Sequence, residues 1–245
     1  MVIKFNNRIN CIFLSVLFVL HFVAFLNSCF TEVSSFASLP FLFYVYHFLI
    51  LGWYIVIFLQ LECIQKNSIM RHRFFQLLLF IIGPIIILNI LKMGKYTYLI
   101  DIQLGYPSSL IKERIFSFII EIIFFWVYYI LSFLNRNNSE AYSKYIVVTS
   151  LFLFSITVDK FVYTHILGST QSAEIANALA FFFIFIFWIV EFNNNKKIEI
   201  KSPFLISLII IILYNILSIY YFQLNSYELI TKVVINHVFD YINVY

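Results

Sequence analysis

The sequence predicts an all-α, polytopic integral membrane protein with about seven transmembrane helices and a cytoplasmic amino terminus. Three observations carry that prediction. Of the 245 residues, 62% are hydrophobic and only 11% are charged, whereas soluble domains run near about 25% charged. The apolar residues gather into runs long enough to cross a bilayer as helices. Short polar turns separate the runs, and Lys and Arg concentrate in alternate turns, as they do on the cytoplasmic face.

The first span, residues 10–26, follows Lys4 and Arg8 and is expected to stay uncleaved. Its end, Leu26-Asn27-Ser28-Cys29, fits a lipoprotein cleavage box poorly because Asn stands at the second place. The second span covers 41–62 and precedes a basic turn with Lys66, Arg71, His72 and Arg73. Span three, 74–91, contains Gly83-Pro84, which should kink the helix or open its backbone hydrogen bonding. Residues 92–114 read as the longest connection, with Lys92, Lys95, Lys112 and Arg114 facing Asp101 and Glu113. Span four is 115–134 and carries Glu121; the polar turn 135–144 leads into span five, 145–167. Span six is 175–192, and Pro203 suits the first turn of span seven, 203–222. The apolar run in the tail, 223–245, is too short to span and is expected to lie along the membrane surface. No repeat or linker divides the chain, so residues 1–245 read as one domain.

With the amino terminus inside, the inner segments hold Lys4, Arg8, Lys66, Arg71, Arg73, Arg136, Lys144, Lys196, Lys197 and Lys201, ten of the sixteen basic residues. The 92–114 connection, placed outside, is the discordant piece. The net charge of +4 is spread over these turns without a basic run, which argues against nucleic-acid binding. Cys11, Cys29 and Cys63 form no CxxC pair and no metal spacing, so neither a zinc site nor a structural disulfide is expected. No protease turn, HExxH or P-loop is present, and no cofactor is expected.

The organising stretch is YIVVTSLFLFSITVDKFVYTHIL, 145–167, because it carries Asp159, Lys160 and His165 inside an apolar span. Asp or Lys near the centre of a membrane helix costs at least about 2.5–3.5 kcal/mol, so such groups persist where they are paired, wetted or used. At a rise of about 1.5 Å per residue, Glu121, Asp159, Lys160, Asn215, His47 and His21 all fall roughly 8–12 Å below the outer face. Five spans thus send polar groups to one level. The layer reads as a hydrated pocket opening outward, with Lys160 paired to Glu121 or Asp159 and the histidines handling protons. It also reads as internal pairs that orient helices, or as Lys160 and His165 reaching toward headgroups. Glu121 is the leading candidate, flanked by FSFII and IIFFW.

Two family likenesses attach to particular residues. Glu121 in a fourth helix, Ser139-Glu140 in the following turn and Lys144-Tyr145 opening the next helix resemble the C subunit of the twin-arginine translocase. That subunit's glutamate before the amino-terminal arginine and its Thr-Pro-Pro-Asp-like turn are missing here, and a seventh helix is surplus. The segment YLIDIQLGYPSSLIKERIF, 98–116, resembles bacterial surface-polysaccharide polymerases. The leading expectation is a protein of a bacterial or organellar inner membrane that moves a solute, ion or polymer, alone or with other membrane subunits. One alternative is an embedded enzyme acting on a lipid-linked glycan, with Glu121 or a histidine as acid or base and Lys95, Lys112 and Arg114 holding a phosphate. The other is a non-catalytic assembly subunit.

Overall fold

A computed structural model describes residues 3–34, 41–66, 68–162, 171–195, 202–223 and 227–239. They form α1 (Ile3–Ser34), α2 (Phe41–Gln65), α3 (Ile69–Gln103), α4 (Ser108–Leu134), α5 (Ser139–Val162), α6 (Gln171–Asn195), α7 (Pro203–Gln223) and α8 (Tyr227–Val234), followed by a π turn, Ile235–Phe239. Among the described residues there is no strand. Four helices contain segments long and apolar enough to cross a membrane: Phe41–Gln65, Met70–Gln103, Ser108–Leu134 and Ser139–Val158. The described apolar stretches of α1, α6 and α7 are shorter.

The fold is built round α5. Every residue from Tyr142 to Thr157 is buried, and α1, α2, α4, α6 and α7 all pack against it. The sequence suits that position, because small hydroxyl residues punctuate an apolar helix and let neighbouring helices approach. Burying hydroxyls is costly unless they are bonded. Thr149, Ser150 and Thr157 donate to the carbonyls of Tyr145, Ile146 and Leu153, one turn earlier, at 2.8, 2.9 and 3.0 Å. The helix opens on Asn138, whose side-chain oxygen accepts from the backbone N–H groups of Glu140 and Ala141, both at 3.2 Å.

The outward side of α3 is a continuous apolar stripe, with Phe74, Leu77, Phe80, Ile81, Ile85 and Leu88 all exposed. In water such a stripe would drive aggregation; in hydrocarbon it is the solvated face of the molecule.

One expectation is corrected here. Residues 92–114 are not a long connection. Helix α3 continues to Gln103 and α4 begins at Ser108. Nothing between Leu91 and Gln103 stops a helix except Gly94, and Lys is a good helix former. The stop lies at Gly105, at φ 72°, where Gly105 N–H donates to the Ile102 carbonyl and Tyr106 N–H to that of Asp101 at 3.0 and 3.1 Å. These paired bonds close the helix end, and Pro107 prevents its continuation.

Helix α3 runs through Pro84. A proline leaves the carbonyl four residues back without its N–H partner, here that of Phe80. The hydroxyl of Tyr129 on α4 donates to that carbonyl at 2.8 Å. Gly83 makes the approach possible, since a Cβ there would lie 2.4 Å from the Tyr129 ring.

The π turn is seated on the α3–α4 hairpin, with Phe239 buried against Ile111 and Ile115 and next to Tyr98. Lys95 holds it by donating from Nζ to the Phe239 carbonyl.

Candidate functional site: two polar levels around the central helix

At the end of the bundle marked by the 104–107 turn, α1 and α2 bring His21 and His47 together against α5. Both imidazoles are buried. His21 Nδ1 lies 3.0 Å from Thr157 Oγ1, and His47 Nδ1 lies 3.2 Å from His21 Nε2. Proton positions follow from the far end of the chain. The Thr157 hydroxyl proton is committed to the Leu153 carbonyl, so Thr157 Oγ1 accepts from His21 Nδ1–H. His21 Nε2 is then an acceptor, and His47 Nδ1–H donates to it. Both rings are therefore assigned as neutral Nδ1–H tautomers, leaving His47 Nε2 as the acceptor at the head of the chain. A proton arriving there can pass through His47 Nδ1 to His21 Nε2.

Glu121 comes to α5 from the other side. It is buried, and Ser155 Oγ donates to its Oε1 at 2.9 Å. Ser155 and Thr157 are two positions apart, so they share a level to within roughly 3 Å but face roughly 200° apart. The carboxylate and the histidines thus share a level, on opposite faces of one helix. Asp159 and Lys160 belong to the next turn of α5, but their side chains, and all of His165, lie outside the described residues. Asn215 is on an exposed face of α7.

At the same end of the bundle a cleft of about 80 Å³ has Tyr46, Gly94, Asp101, Arg114, Ile156 and Phe239 in its walls; Glu121, His21 and His47 are not among its lining residues. That volume holds roughly two or three waters. Two of its lining residues form an ion pair across the 104–107 turn, Arg114 Nη1 to Asp101 Oδ2 at 2.6 Å. Tyr46, next to His47, and Ile156, between Ser155 and Thr157, also line it. Of the three basic residues expected to hold a phosphate, Arg114 is thus engaged with Asp101 and Lys95 with the tail carbonyl. Lys112 sits half-buried on the first turns of α4.

A second polar level, which sequence reasoning did not single out, lies at the opposite end of α5. Lys144 Nζ is buried and donates to Glu191 of α6, and also to Glu140 at 2.8 Å. Ser202, just before α7, donates to the other Glu191 oxygen. Three helices are tied at this point. Nearby, Tyr142 donates to Gln60 Oε1 at 2.9 Å. Two signals pointed here: Asn138 as a helix cap, which places Lys144 inside the helix, and the four-residue spacing of Glu140 and Lys144.

Among the described residues, no group of three or more His, Cys, Asp or Glu side chains could hold a metal ion. Among the described residues, Cys11, Cys29 and Cys63 form no disulfide. Set against known proteins, the chain matches no protein-family model, no curated protein and no solved structure.

Proposed function

We propose that this is a seven-span protein of a bacterial or organellar inner membrane, amino terminus in the cytoplasm, that moves a solute, ion or polymer across the bilayer. It does so alone or as a subunit of a translocation complex. One observation carries the reading: a buried Glu121 bonded to Ser155 and a buried His47–His21–Thr157 chain sit at one level on the central helix. Ionisable groups retained at membrane depth are rare and mark paths for ions or protons. In this reading the Asp101–Arg114 end is extracytoplasmic, and Glu121 and the His47–His21 pair exchange protons as the cargo passes.

The enzyme alternative names Lys95, Lys112 and Arg114 as phosphate ligands. Arg114 and Lys95 are already engaged within the chain, which weakens that assignment.

The test is Glu121→Gln in proteoliposomes. Glutamine keeps an acceptor for Ser155, so the folded amount should match wild type, while gradient-driven uptake or export falls at least about tenfold, near 1.4 kcal/mol. Product formation in detergent with no gradient, lost in the same variant, would make the protein an enzyme instead. Release of a partner from an otherwise intact fold would make it an assembly subunit.

A further inference from the structure

At the end of the bundle opposite the histidine relay, an open groove of about 460 Å³ lies between the start of α3 and the end of α4. Its walls divide by chemistry. Arg73, Arg136 and Asn137 form one part; Leu77, Phe80 and Phe133 form the other. Leu77 and Phe80 belong to the exposed apolar stripe of α3, so the groove runs directly into the lipid-facing surface. Its base is fixed by Gln76, which donates to the Arg136 carbonyl at 3.2 Å and contacts His72 Nε2 at 2.9 Å.

Both arginines are exposed, and among the described residues neither guanidinium has a carboxylate partner. No acidic residue lines the groove. This sets it apart from Lys144, Arg114 and Lys66, each of which is neutralised by an acid. Two unpaired cations above an apolar wall form a site of matched halves: guanidinium groups pair strongly with phosphate oxygens, and leucine and phenylalanine pack an acyl chain. From this complementarity we infer that the groove binds an anionic phospholipid, with its phosphodiester at Arg73 and Arg136 and a chain along Leu77 and Phe80. A zwitterionic lipid brings its own ammonium to the phosphate and gains less from the arginines. Inorganic phosphate would leave the apolar wall unfilled. Basic pockets between membrane helices hold anionic headgroups for the same reasons. The inference does not rest on the transport reading.

The full chain, reconstituted in phosphatidylcholine nanodiscs with and without phosphatidylglycerol, provides the test, read by thermal melting and by lipid retained in native mass spectrometry. Phosphatidylglycerol should raise the melting temperature of wild type and remain bound through purification. In Arg73→Gln/Arg136→Gln the gain should vanish and retention fall at least tenfold, with melting in pure phosphatidylcholine unchanged. Arg71→Gln, also exposed but outside the groove, should behave as wild type. The inference is overturned if wild type gains nothing from phosphatidylglycerol, if the double variant keeps the gain, if Arg71→Gln loses it equally, or if inorganic phosphate reproduces it.

Discussion

Lys144→Met should destabilise the protein by about 3–5 kcal/mol, the cost of leaving a buried charge without its partner. Glu191 is 4% exposed, and its remaining partner would be the Ser202 hydroxyl. The cost should be recoverable. In Lys144→Met/Glu191→Met both charges go, and apolar side chains of similar length fill the space, so most of the stability should return. Glu140→Gln, by contrast, should cost less than about 1 kcal/mol, because that carboxylate is half exposed. Unfolding by SDS titration of the four proteins in mixed micelles gives the comparison. Equal losses in the single and double variants would show that Lys144 acts only by filling volume.

The second large effect is expected at Gly83. A Cβ at this position meets the Tyr129 ring at 2.4 Å, so Gly83→Val must push α3 from α4. Overpacking of this kind costs about 1–3 kcal/mol. It also pulls the Tyr129 hydroxyl from the Phe80 carbonyl that Pro84 leaves without its helical donor, a further loss of about 1–3 kcal/mol. Tyr129→Phe should show the second loss alone. Gly52 provides the control, since a Cβ there meets nothing within 4 Å, and Gly52→Val should be close to neutral. Matching melting temperatures for Gly83→Val and Gly52→Val would rule the contact out.

Much of the architecture was legible because membrane helices announce themselves by length and hydropathy. The common level of Glu121, His21 and His47 was also legible, since depth follows from counting residues at a fixed rise. Which faces meet was not. Ser155 and Thr157 point opposite ways, and only the burial of α5 on all sides lets both faces bind partners. The charges of Lys92, Lys95 and Asp101 read as a loop, but long side chains on a helix end are compatible with helix, and the stop was written in Gly105 and Pro107. Gly83-Pro84 signalled opened backbone hydrogen bonding, but not what takes up the freed carbonyl. That donor is Tyr129, forty-five positions along the chain from Pro84, and no local pattern shows such a remedy. Lys144 was assigned to a turn because its partner Glu191 lies in another helix.

Transport as proposed requires α3 and α4 to cross the membrane in opposite directions, with the Asp101–Arg114 pair at the outer end. Single cysteines at Leu104, Thr97 and Asn137, in a chain with Cys11, Cys29 and Cys63 replaced by serine, can be labelled in intact cells with an impermeant thiosulfonate. Leu104→Cys and Thr97→Cys should react at once, and Asn137→Cys only after the membrane is opened. Labelling of Asn137→Cys in intact cells, or of Leu104→Cys only after lysis, would contradict it.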